Sequence, residues 1–130
     1  MKLIIFLLVF PFILSAENKG AEYTPYVYKA TVKEVYDGDT ITIDIDLGFN
    51  IVLKDQKIRL LGVNTTELRG EEKEEGLKVR DAVRKLILNK EIIIKTERDK
   101  KGRYGRWLAV IYIGELNLNQ MLIDKGYKYK

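Results

Sequence analysis

Three observations predict an α+β chain built on a small barrel. Five runs of β-branched and aromatic residues are spread along the sequence. An amphipathic helical stretch falls after the third run, and a short helical stretch follows the fifth. Period-two patterns read as strands, and spacings of three and four read as helix. The predicted order is β-β-β-α-β-β-α. Five strands with a helix after the third is the arrangement of an OB-fold barrel, a scaffold that often carries nucleic-acid sites.

The elements follow in order. "VYKATVKEVY" (27–36) is β-branched and aromatic, hence a strand. "DGDT" (37–40) has turn composition. "ITIDIDL" (41–47) sets Ile41, Ile43, Ile45 and Leu47 on one face and Thr42, Asp44 and Asp46 on the other, the pattern of a half-buried strand. Gly48 turns the chain into a third strand over 51–63, interrupted by the polar "KDQK". In residues 71–90, Val79, Ala82, Val83, Leu86 and Ile87 form one helical stripe. Acidic residues crowd the start of this helix and basic ones its end, as the macrodipole favours; Gly76 weakens its first turns. "EIIIKTE" (91–97) and "WLAVIYI" (107–113) are strands, joined by the basic loop "RDKKGRYGR" (98–106). Residues 117–126 form a short helix, with Asn117 as N-cap and Gly126 as its stop.

Composition narrows the chemistry. The 130 residues carry 23 Lys+Arg, 19 Asp+Glu, no Cys and no His. One domain is the natural count at this length. Without Cys there is no disulfide framework and no zinc finger. Without His there is no Ser-His-Asp or Cys-His triad and no ordinary neutral-pH proton shuttle. Acid–base chemistry would fall to carboxylates, Lys or Tyr. A net charge of +4 suits a polyanionic partner modestly.

Residues 1–16 stand apart. Lys2 precedes an apolar run, Leu3–Leu14, and then Ser15-Ala16. Such a run is about 18 Å long as a helix, short for a bilayer span. It reads as a signal peptide ending near Ala16 or as an N-terminal anchor. Residues 17–26, with Gly20 and Pro25, read as a linker. The expected location is outside the cell, or tethered to the outer face of its membrane.

Three short motifs could carry chemistry. Asp37 and Asp39 share a tight turn; alone, "DGDT" reads first as a hairpin turn and only second as a hard-cation site. "RLLGVNTTE" carries Arg59 at its start and Glu67 at its end, either as an ion pair or as a phosphate-binding fork with a loop carboxylate. "RYGR" (103–106) ends in Arg106, part of a solvated basic loop or a second phosphate ligand. Two arginines and a cation would stabilise a phosphorane transition state beyond its ground state.

Taken together, "VYDGDTITI", "RLLGVNTTE" and "KGRYGRWLAVIY" resemble, in this order and spacing, the staphylococcal nuclease (thermonuclease) family across residues 27–130. The resemblance implies a nuclease-type OB-fold barrel and a calcium-dependent phosphodiesterase that cuts DNA or RNA to leave 3′-phosphates. It implies catalytic roles for Arg59, Glu67 and Arg106, with Glu67 as general base, and metal-site roles for Asp39, Asn64 and Thr65. One Ca²⁺ ion and a nucleic acid substrate, single-stranded or denatured, follow from the same resemblance. The sequence does not fix the oligomeric state; a monomer is the expectation, and no protein partner is predicted. Three features depart from the family pattern. Asn64 stands where the family has an aspartate, and Thr66 where it has a proline. A third, C-terminal helix is expected to be lacking, with Tyr127 and Tyr129 near the end. The alternative is an OB module that binds nucleic acid or protein without catalysis.

Overall fold

The computed structural model describes residues 20–65, 70–98 and 107–128. Strands β1 (Val27–Asp37), β2 (Thr40–Asp46) and β3 (Val52–Leu60) form an antiparallel meander. A 3₁₀ turn (Gly70–Glu72) leads into helix α1 (Lys73–Ile87). Strands β4 (Glu91–Arg98), β5 (Trp107–Ile113) and a two-residue β6 (Leu116–Asn117) precede helix α2 (Leu118–Asp124).

The sheet order is β3-β2-β1-β4-β5-β6, and a parallel pairing of β3 with β5 closes it. Ile58 to Leu60 lie against Trp107 to Ala109 in that closure. The predicted five-stranded barrel of OB type is the observed one, with β6 as a short addition at the edge of β5.

The period-two pattern explains the core. Val32, Val35, Ile41, Ile43, Ile58, Leu60, Ile92, Ile94 and Ile111 are inside the barrel at 2% exposure or less. Helix α1 closes one opening with Val79, Val83 and Ile87, three residues of the predicted stripe. Helix α2 supplies Leu118 and Leu122. Each fully buried aliphatic side chain stabilises by roughly 1.5–3 kcal/mol.

Some boundaries differ from expectation, each for a local reason. Strand β2 ends at Asp46, so Leu47 is 44% exposed and does not continue the buried face. Strand β3 runs unbroken through "KDQK", because Asp55 takes a left-handed φ of 53° opposite the register shift between Ile43 and Ile45, a bulge that bends the strand without ending it. It stops at Leu60, not at residue 63, because Gly62 turns the chain at φ 75°. Helix α1 stops at Ile87, not at residue 90: Asn89 is left-handed at φ 61°, the conformation that ends helices. Its N–H then donates to Val32 O at 2.9 Å, seating the helix end on β1. At α2 the predicted cap is present: Asn117 accepts from Gln120 N at 3.0 Å, and Gly126 has φ 100°.

Candidate active site

The β1–β2 turn forms one wall of the site. Asp37 Oδ1 accepts from the Asp39 N–H at 3.0 Å, a local bond typical of Asp in turns. A Cβ on Gly38 would lie 2.6 Å from both Thr65 Cγ2 and Val79 Cγ1. Only glycine lets the turn approach α1 and the segment after β3 so closely. Arg84 of α1 adds a second anchor: its Nε and Nη2 both donate to Val35 O, at 3.1 and 3.0 Å, where the register shift between Val35 and Asp37 leaves that carbonyl available.

The segment after β3 forms the other wall. Leu61 N donates to Ala109 O at 2.9 Å, and Asn64 N to Tyr127 O at 3.1 Å. Asn119, only 3% exposed, accepts from Ile111 N and donates through Nδ2 to Ala109 O and Leu61 O. Buried amides are retained where their donors and acceptors are met. Thr65 then reaches the turn, where its N–H donates to Asp39 Oδ2 at 3.0 Å.

Arg59 joins the two walls. It sits opposite Thr40 in the β2–β3 register, with its side chain 18% exposed. Its Nη2 donates to Asn64 Oδ1 at 3.1 Å and Val63 O at 3.4 Å, and lies 3.6 Å from Asp39 Oδ2. A groove of about 250 Å³ opens alongside, lined by Glu34, Tyr36, Asp37, Thr40, Thr42 and Lys57. Lys57 lies opposite Thr42, two residues from Arg59 on the same face of β3.

The two turn carboxylates are pushed in opposite directions. Burial raises Asp37 to about 6, helped by a hydrogen bond to Asp39 and by its charge. Burial also acts on Asp39, but hydrogen bonds from Asp37, Thr65 N–H and Thr40, with the charge of Arg59, outweigh it and hold Asp39 below the usual carboxylate range. Asp37 is thus the weaker acid of the pair and Asp39 the stronger. Coupled carboxylates divide their titration in this way.

This arrangement brings the "DGDT" turn and "RLLGVNT" together at one end of a nuclease-type barrel. A profile of the family described as Staphylococcal nuclease homologue matches residues 57–129. The chain belongs to that family. It is 33% identical to the thermonuclease of Staphylococcus intermedius over 98 residues, 73% of this chain and 55% of that protein. It is 31% identical to the thermonuclease of Staphylococcus hyicus, covering 73% of this chain and 54% of the relative. An uncharacterised protein of Methanocaldococcus jannaschii is 32% identical, covering 81% of this chain and 62% of its own length. The chain thus matches little more than half of each thermonuclease.

Of the residues singled out in the sequence, this nuclease-family fold gathers Asp39, Arg59, Asn64 and Thr65 into one cluster. Glu67 and Arg106 lie outside the described residues, as do Thr66 and Tyr129. Tyr127 is tied to the cluster through its backbone, while its side chain reaches helix α1. Its hydroxyl donates to Glu75 Oε1 at 3.3 Å, and its carbonyl holds Asn64 N. Sequence reasoning missed three positioning residues. Gly38 looked like an ordinary turn glycine, Arg84 like a dipole-compensating charge, and Asn119 like a polar position on a short helix. The signal for Asn119 was its place beside Leu118 and Leu122, on the core-facing side of a short helix.

Among the described residues no three His, Cys, Asp or Glu side chains converge as a ready metal cage. The donors present are nonetheless all oxygen: the carboxylates of Asp37 and Asp39, the Asn64 amide oxygen and Thr65. Thr65 Oγ1 is buried without a hydrogen-bond partner, and two carboxylates crowd one turn. Both conditions would be relieved by a hard divalent cation.

Proposed function

We propose that this chain is a divalent-cation-dependent endonuclease that hydrolyses phosphodiester bonds of DNA or RNA and leaves 3′-phosphates, with Ca²⁺ as the cation. The observation that carries this reading is the cluster itself. Three separate segments place an arginine, a carboxylate held below its usual range and one unmet oxygen, Thr65 Oγ1, at one rim of the barrel. A purely structural ion pair would not need so many polar groups, since apolar packing stabilises at least as well.

In this reading Asp39, with Asp37, Asn64 and Thr65, would hold the cation. When bound, it supplies positive charge at a phosphate oxygen. Arg59 and Arg106 hold the other phosphate oxygens through their planar forks. Glu67 takes a proton from the water that attacks phosphorus, and the bond from phosphorus to the 5′-oxygen of the next nucleotide breaks. Such a base explains acid–base chemistry in a chain without histidine. The substrate strand continues along the groove past Thr42 and Lys57. Residues 1–16 favour a place outside the cell or at the outer face of its membrane.

The test is cleavage of denatured DNA and of RNA, with calcium and with chelator, for the parent chain, Glu67→Gln and Arg59→Lys. Glu67→Gln is expected to fall about 10²–10⁴-fold at saturating metal. Nucleic acid binding without cleavage in the parent would replace this reading with the non-catalytic OB module.

A further inference from the structure

The end of the barrel opposite the cluster carries a contiguous apolar surface. Leu47, Phe49, Ile51, Val52 and Leu53 are all exposed, Phe49 at 97%. They belong to the β2–β3 hairpin tip, "LGFNIVL", seven residues without a charge. The tip is well formed. Ile51 N donates to Gly48 O at 2.9 Å, Leu47 N to Ile51 O at 2.9 Å, and Gly48 N to Asp46 Oδ1 at 2.8 Å.

The central residues of this turn are Phe49 at φ 54° and Asn50 at φ 62°. A turn whose two central residues both have positive φ favours Gly, Asn or Asp at those positions. A bulky side chain in the left-handed region is strained. Here it gains no compensating contact within the fold, because Phe49 points wholly into solvent. The tip is therefore built for something other than the stability of this domain.

Its position indicates what. Lys29 pairs with Asp46, so the start of β1 lies beside the base of the hairpin tip. The Asp37–Thr40 end of the same pairing is the catalytic cluster, about 26 Å away along β1. Tyr26, exposed at 56%, precedes β1, and its carbonyl accepts from Thr96 N at 2.9 Å, which fixes it at the tip's end of the barrel. Residues 20–26 lead into β1 at this same end, and the apolar run Leu3–Leu14 precedes them in the sequence.

We propose that this end of the domain docks on a lipid bilayer. The β2–β3 tip enters the interfacial region, Tyr26 sits at headgroup level, and the Asp39–Arg59 cluster faces the solution. Tyr and other aromatic side chains favour that interface, and exposed apolar side chains gain by leaving water there. The charges that bound the tip, Asp46 and Lys54, set how deep it can go. A second copy fits the surface less well. One hairpin tip falls short of the roughly 20–30 residues that each partner commits to a stable protein interface. This inference rests on the hairpin and not on the nuclease reading.

The chain has no cysteine, so a single cysteine can carry an environment-sensitive fluorophore. Full-length protein is labelled at Ile51→Cys or, as a control at the opposite end, at Tyr36→Cys. Each is mixed with vesicles of equimolar phosphatidylcholine and phosphatidylglycerol. The expected result is a severalfold rise in emission at position 51, quenched by nitroxide-bearing lipid, with no change at position 36. Adding Phe49→Asp, whose side chain tolerates left-handed φ, should reduce the rise about tenfold. It should leave cleavage of a soluble oligonucleotide unchanged. Three results would overturn the proposal. The first is sedimentation with vesicles while the label at 51 stays open to aqueous iodide, which leaves the binding to residues 1–16 alone. The second is an emission at 51 that rises with protein concentration in the absence of lipid, which puts a second copy on the tip. The third is no binding to vesicles at all.

Discussion

The carboxylate of Asp39 accepts a hydrogen bond from the backbone N–H of Thr65 at 3.0 Å, joining residues 26 positions apart in the sequence. This bond docks the segment after β3 onto the β1–β2 turn. A second tie runs through the backbone, from Leu60 N–H to Asp39 O at 2.8 Å. Asp39 is only 6% exposed, so its carboxylate acts inside the wall of the cluster. Whatever this site binds, its two walls are held together by a potential ligand.

Replacing Asp39 therefore tests assembly as well as chemistry. Asp39→Ala leaves the Thr65 N–H without its acceptor and removes the anion beside Arg59. The expected loss is about 2–3 kcal/mol in urea unfolding, in the range for charge-assisted bonds and stranded donors. Asp39→Asn keeps an acceptor and should lose less. Equal losses in the two variants would show that the hydrogen bond to Thr65 contributes nothing beyond the charge.

Gly38→Ala should be damaging although the position is a turn. The added methyl would meet Thr65 Cγ2 and Val79 Cγ1 at 2.6 Å, and both neighbours are packed. Overpacking of this kind typically costs about 1–3 kcal/mol. Activity should fall more than stability, because the residue pushed away, Thr65, also holds Asp39 through its backbone N–H. Val79→Ala opens one side of the contact, so the double variant should recover part of the loss. If Gly38→Ala matches the parent in unfolding and in cleavage, the turn has room that its geometry denies.

The pH dependence of the metal-free protein follows from Asp37. Its carboxyl is raised from 3.8 to about 6 by burial, the hydrogen bond to Asp39 and the charge of Asp39. A raised acid binds its proton more tightly in the folded state. Its contribution is therefore full below about pH 4 and is lost as pH rises through about 6. Asp39 is lowered and works in the opposite sense: its stabilisation is present above the unfolded value and is lost as pH falls through its folded one. With chelator present, Asp37→Asn should flatten the decline in thermal stability between pH 4 and 7. An unchanged decline would assign it to other groups.

Local patterns were legible in the sequence and long-range ones were not. The alternation in "ITIDIDL" gave the buried face of β2 because period two is local. The end of α1 was legible in principle, since Asn89 is a residue that tolerates left-handed φ, but the apolar "LIL" before it masked the stop. Gly38 and Asn119 escaped for a different reason. Their roles depend on atoms that are distant in sequence, Val79 for one and Leu61 for the other. Within the cluster, residue types at Asp39, Arg59, Asn64 and Thr65 could be read from motifs. The engagement of Asn64 with Arg59 could not, because it depends on where Gly62 turns the chain.

That engagement gives the final prediction two separable outcomes. Asn64 Oδ1 accepts from Arg59 Nη2 at 3.1 Å, while the resemblance places the same oxygen at a cation. Asn64→Asp adds a negative charge near Asp39, and ligand charge is one of the terms that tune calcium affinity. If the oxygen serves a cation, the variant should bind calcium at least about tenfold more tightly. Its melting temperature should then rise further across a calcium titration, by about 5 °C beyond the parent's rise at saturation. If instead Asn64 serves to orient Arg59, the new carboxylate pairs with the guanidinium and the calcium-induced rise stays as in the parent. Asn64→Ala separates the two roles independently. A cation ligand lost there weakens calcium binding and is compensated by more calcium. A lost positioning contact lowers kcat at saturating calcium, and no amount of calcium restores it. Thermal unfolding and steady-state cleavage on the same three proteins, at constant ionic strength, decide which role Asn64 has.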